Sequence, residues 1–93
     1  MIECNGGRCT LKGAVNLETV LALREEGLRR FTAVEVILDL SAVTAVDSAA
    51  ISLLFEWRRA ALAAGRRIRY INLPENLQNL ARLYGVTDLL GAE

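Results

Sequence analysis

Residues 34–54 read VEVILDLSAVTAVDSAAISLL, a stretch in which a buried-looking strand hands over to a long apolar helix. Its first part, VEVILDL (34–40), is β-branched and apolar with few polar breaks, which suits a central strand buried on both sides or nearly so. SAVTAV (41–46) reads as a connector. From Asp47 or Ser48 a helix is predicted to run to Ala64, where Gly65 supplies the expected stop.

Working outward, MIEC and RCTLKG read as two short strands around Gly6-Gly7, with Asn5 facing Arg8 and Cys4 facing Cys9. NLETVLALREEGLRRF (16–31) has helical spacing, with Asn16 as its N-cap and Leu17, Val20, Leu21, Leu28 and Phe31 near one face. Gly27 weakens that helix without clearly ending it. RRIRYINL (66–73) alternates as a strand, placing Ile68, Tyr70 and Asn72 on one side and Arg69 and Ile71 on the other. Pro74 opens a further helix whose Leu77, Leu80, Ala81 and Tyr84 share a face, and VTDLL (86–90) suggests a short final turn. The expected fold is α/β: one domain over residues 1–93, order β-β-α-β-α-β-α. Its mixed four-stranded sheet is covered by three to four helices.

Composition narrows the function. Eleven basic and eleven acidic residues cancel, so no general attraction to nucleic acid or to an anionic membrane is expected. No apolar run approaches the roughly 18 residues of a membrane span and no leader pattern is visible, so direct membrane insertion is not expected and the reading is cytoplasmic. The sequence has no histidine, which removes Ser–His and Cys–His nucleophiles and the commonest metal ligand. NGGR (5–8) lacks the Lys-Ser/Thr and following helix of a phosphate loop. No catalytic residue, metal or cofactor is assigned. A Cys4–Cys9 disulfide is geometrically conceivable; for a cytoplasmic chain two packed thiols are the stronger expectation.

The helix from residue 48 is more apolar than one sheet face requires. On a wheel, Ser48, Ser52, Glu56, Arg59 and Ala63 gather in a sector of about 80°, and the apolar arc spans roughly 220°. Either neighbouring helices cover both flanks, or Phe55 and Leu62 on one border, or Leu53 on the other, stay exposed as part of a protein-binding surface. Asp47 and Ser48 sit where backbone N–H groups lack partners, so either can be an N-cap. Added negative charge is also well tolerated there, which makes Ser48 a candidate phosphorylation site.

The run of a strand, DSAAISLL (47–54), a long helix ending AAG (63–65), then strand and helix resembles a STAS domain, the family typified by bacterial anti-sigma-factor antagonists. The resemblance covers essentially the whole chain. In the best-known antagonists the motif is Asp-Ser-Ser/Thr-Gly-Leu and a partner kinase phosphorylates the second hydroxyl; here that position is Ala49, and the motif glycine is Ala50. The branch formed by the small STAS subunits of phospholipid-trafficking Mla-type ABC transporters is more similar, with Asp-Thr/Ser-Ala-Gly-Leu at the same place and a pattern like LARLYGVTDLL (80–90). That resemblance implies a cytoplasmic module that binds and supports the ABC transporter ATPase subunit. Asp47, Ser48 and Ile51 would lie at the contact, to which the wheel adds Ser52 and Phe55, with Ser48 also capping the helix. The alternative it leaves open is an anti-sigma-factor antagonist regulated by a serine kinase, with Ser48 standing in for the missing acceptor.

Overall fold

The computed structural model describes residues 1–86; most of the VTDLL turn expected at 86–90 lies outside the described residues. Four strands form one sheet in the order β1-β2-β3-β4: β1 (Ile2–Asn5), β2 (Arg8–Val15), β3 (Glu35–Val46) and β4 (Arg67–Ile71). β1 and β2 are antiparallel, while β2/β3 and β3/β4 are parallel. Between them run α1 (Val20–Arg30) and α2 (Ser48–Ala63), and α3 (Glu75–Leu83) follows β4. The element order agrees with the sequence-based expectation.

The Gly6-Gly7 turn sets the predicted register, Asn5 opposite Arg8 and Cys4 opposite Cys9. Gly6 takes φ +67°, open to a residue without a Cβ. A Cβ on Gly7 would lie 2.6 Å from the Glu35 carbonyl oxygen, so backbone approaches closely there. Cys4 and Cys9 are joined as a disulfide, not held as two thiols. The correction has a local cause: the tight turn places the two residues directly opposite each other, with Cα atoms 4.0 Å apart.

β3 also departs from expectation. It is 12 residues long and takes in the whole of Ser41–Val46, read from sequence as a connector. Register shifts between Thr10 and Lys12 and between Gly13 and Val15 let β2 keep pairing with it. The buried positions slip from Val36, Leu38 and Leu40 to Val43, a spacing of three that breaks the period-two signature of a strand. Nor is β3 buried on both sides. The register puts Ile2, Cys9, Leu11, Val36, Leu38 and Tyr70 on one face, all buried. Glu3, Arg8, Lys12, Ile37, Asp39, Arg67 and Arg69 occupy the other, which is polar and open to half-buried. The helices therefore pack on a single face, giving a two-layer α/β domain.

α1 begins at Val20 rather than near Asn16. The Asn16 carboxamide oxygen instead accepts from the backbone N–H groups of Glu18 (3.0 Å) and Thr19 (3.2 Å), closing a turn before the helix. Its inward face is Val20, Leu23, Gly27 and Phe31. Leu17 and Leu21, expected in the core, are 77% and 71% exposed, and Leu28 is exposed as well. The rotation follows from Trp57 of α2, whose indole lies where a side chain on Gly27 would be. The same indole stacks edge-on against Phe31, ring centres 5.0 Å apart. On α3, Leu77 and Ala81 are buried as expected, but Tyr84 is about half exposed. Asn72 leaves the β4 pattern with φ 56°, a left-handed conformation that asparagine tolerates.

Candidate functional site

The handover from β3 to α2 is built on Asp47. Its backbone N–H donates to the Val15 carbonyl (3.3 Å), ending the β2–β3 ladder. Its extended backbone then turns the chain into α2. One carboxylate oxygen accepts from Ala49 N–H at 2.8 Å, the N-cap of α2; the other accepts from Leu17 N–H at 3.0 Å. A single side chain thus joins the segment before α1 to the start of α2. Asp47 is half-buried and its acceptors are engaged by this chain, so it positions its neighbours. Asp47→Ala is expected to cost about 0.5–2 kcal/mol, the range for losing an N-cap, while Asp47→Asn, which keeps an acceptor oxygen, costs less. Urea denaturation checks the order; equal losses for both variants would contradict it.

The cap is therefore Asp47, and Ser48 does not share it. Ser48 is the first residue of α2 and is exposed, its hydroxyl without a hydrogen-bond partner among the described residues. Ser52, one turn on, is exposed on the same side. With Leu17, Val20, Asp47 and Ala49 these serines line a shallow groove of about 460 Å³ between α2 and the approach to α1. Ile51 is only 7% exposed and belongs to the core, so it backs this surface from inside. Phe55 is half-buried and opens onto a second, larger groove of about 650 Å³, bordered by Ser52, Glu56, Arg58, Arg59 and Leu62.

The wide apolar arc of α2 resolves into the second expected outcome, with one flank covered and one border left exposed. On one flank Trp57 packs against α1, and its indole N–H points at the Arg24 carbonyl (3.4 Å). Glu56 also bridges to Arg24 at 2.6 Å, an exposed ion pair worth about 0–1 kcal/mol. On the sheet side the Tyr70 hydroxyl donates to the Leu54 carbonyl at 2.6 Å, and burial pushes its phenol far above the ordinary value, Arg58 opposing weakly. Of the three border residues considered for exposure, Leu53 is fully buried, Phe55 is half-buried and Leu62 is 62% exposed. The exposed apolar border thus lies on the Phe55–Leu62 side alone.

Sequence reasoning missed Leu17 and Val20 as groove residues because their leucine-like periodicity pointed to the core. Among the described residues no three His, Cys, Asp or Glu side chains come together in a way that could hold a metal ion. No described helix is long and apolar enough to cross a membrane.

Comparison with known proteins places this geometry in a family. The family model described as "Mlab, STAS domain" matches residues 3–91. No curated protein sequence matches the chain. Among solved structures, the chain is similar to the anti-sigma factor antagonist SpoIIAA in its unphosphorylated form, at 15% identity and TM-score 0.67 over 89% of this chain and 81% of that one. It is similar to the Bacillus cell fate determinant SpoIIAA in its phosphorylated form, at 14% identity and TM-score 0.71 over 100% and 87%. It is also similar to part of the murine Solute Carrier 26 family member A9 anion transporter, at 20% identity and TM-score 0.76 over 92% of this chain and 15% of the transporter. At these identities the structural likeness is one of fold. With the family model spanning nearly its whole length, the chain belongs to the STAS domain family.

Proposed function

We propose that this chain is a non-catalytic, cytoplasmic protein-interaction module that binds and supports the ATPase subunit of a phospholipid-trafficking, Mla-type ABC transporter, docking through the start of α2. The observation that carries the reading is the arrangement at residues 47–49. Ser48 is exposed beside a groove, Asp47 is committed to holding it there, and Ala49 has no oxygen to accept a phosphate. Such a surface suits constitutive docking better than a phosphorylation switch at residue 49. The MlaB-described family model supports the same branch.

Phe55 is the aromatic residue that shares a groove with Ser52, and aromatic anchors dominate interface energetics. Phe55→Asp is expected to abolish co-purification of the transporter ATPase while the thermal unfolding transition stays cooperative. Retained co-purification would contradict the docking site.

One observation favours a second reading, an anti-sigma-factor antagonist regulated by a serine kinase. The exposed hydroxyl of Ser48 sits at a helix N-terminus, where added negative charge is favoured by the helix dipole. A phosphoprotein gel with candidate serine kinases separates the two: a shift lost in Ser48→Ala supports the antagonist, and no shift with any kinase removes its mechanism.

A further inference from the structure

α2 carries an outward stripe that its own packing leaves unused. Ser48, Ser52, Phe55, Arg59 and Leu62 follow one another at spacings of four, three, four and three residues, the alternation that keeps one seam turned toward a neighbouring helix. All are exposed except Phe55, which is half-buried. At 1.5 Å per residue the stripe runs about 21 Å, or two heptads. The opposite face of α2 is fully engaged, with Ala50, Ile51, Leu53, Leu54 and Trp57 buried, so the helix cannot turn the stripe inward without losing its core.

Charge indicates what covers it. Arg58 and Arg59 border the groove beside Phe55 and Leu62, and neither pairs with a carboxylate among the described residues. Glu56, the one acidic residue lining that groove, is already held by Arg24. The surface therefore offers an apolar floor and two guanidinium groups that no carboxylate among the described residues compensates. A second copy of α2 laid parallel along the stripe would bring arginines toward arginines, which is unfavourable across a helix seam; laid antiparallel it would set Arg59 against Ser52 and offer no free carboxylate, since Glu56 is held by Arg24.

Resting on the reading of α2 as the docking helix, the geometry points to a partner of defined chemistry: an α-helix with heptad-spaced apolar residues flanked by Asp or Glu. Its apolar residues pack on Phe55 and Leu62, and its carboxylates pair with Arg58 and Arg59, where Arg favours bidentate contacts. Ser48 and Ser52, being small, let the two helices approach closely at the other end. The stripe thus specifies partner orientation as well as affinity, with close approach at the N-terminal end of α2 and bulk and charge at the C-terminal end.

A phage-displayed library of helical peptides, with leucines at alternating three- and four-residue spacing and random flanking positions, selected against the immobilised full chain, tests this. Acidic residues should be enriched at the flanks, and the selected peptides should lose at least tenfold in affinity for Arg58→Glu/Arg59→Glu. Lysine-flanked twins should gain on that variant. Arg59→Glu alone, at an exposed position, gives the same direction if the double variant folds poorly. Absence of binders, neutral or basic enrichment, or affinity unchanged by both variants overturns the proposal. So does a dimer of the chain in sedimentation velocity that Leu62→Asp dissolves, which would assign the stripe to a second copy. If acid-flanked helices bind but no ABC ATPase is captured from cells, the transporter assignment fails and the stripe's chemistry stands. If the ATPase is captured while the library returns basic helices, the reverse holds.

Discussion

Trp57→Ala should lower the stability of this domain by about 3–5 kcal/mol, the range for truncating a fully buried aromatic side chain. Against the roughly 5–15 kcal/mol of a typical domain, that leaves the fold marginal. The size follows from what the indole holds together. It is 2% exposed, stacks on Phe31 and fills the notch over Gly27 that joins α1 to α2. The pairing with Gly27 sharpens the test. In the wild type, Gly27→Ala drives a methyl into the indole, and overpacking of this kind costs about 1–3 kcal/mol. In the Trp57→Ala background the same change meets open space and recovers about 1 kcal/mol of helix propensity. Urea denaturation of the four proteins should give strong coupling of one sign. Additive losses would mean that Trp57 and Gly27 do not share a contact.

Ser48→Arg is expected to separate binding from folding. Because Asp47 makes the cap and Ser48 is exposed, the substitution removes no internal contact. A cation at a helix N-terminus costs about 0.3–1 kcal/mol, so melting should shift only slightly. Partner affinity should fall by roughly 30-fold or more, the effect of disturbing an interface position worth about 2 kcal/mol. Ser48→Ala should bind nearly as the wild type does. A large loss of stability in Ser48→Arg would show that the hydroxyl is part of the fold; a large loss of binding in Ser48→Ala would make the hydroxyl itself the contact.

The order of elements was legible because each helix and strand carries its own period and its own stop, Gly65 after α2 and Pro74 before α3 among them. Three features were not, each for a physical reason. The inward face of α1 runs through Gly27, and a periodicity built on apolar side chains passes over a glycine. It therefore chose the exposed leucines 17, 21 and 28 over the face that Trp57 occupies. The second half of β3 was lost because its register shifts replace alternation with a three-residue step at Leu40–Val43. The turn motif places Cys4 opposite Cys9, but spacing alone does not report oxidation state, so the disulfide is visible only in the structure.

At the site, the start of α2 was visible as a polar pair ahead of an apolar run, but the division of labour within the pair was not. The bond from Ala49 N–H to Asp47 makes the aspartate the cap, and a second bond from Leu17 N–H, across 30 residues, fixes its other oxygen, while the serine faces outward. Ile51, which the family resemblance places at the contact, is buried in the core instead. Phe55 and Leu62 were recognised as one possible border of the apolar arc; burial of Leu53 selects their side.

The most direct test of the account is affinity capture from native cytoplasmic and membrane fractions with the wild-type chain and Ser48→Arg, quantified by mass spectrometry. An ABC ATPase and its permease are expected on the wild type and are expected to be lost on Ser48→Arg. Capture of a kinase-like anti-sigma factor in their place would contradict this expectation and turn the start of α2 into a regulatory switch.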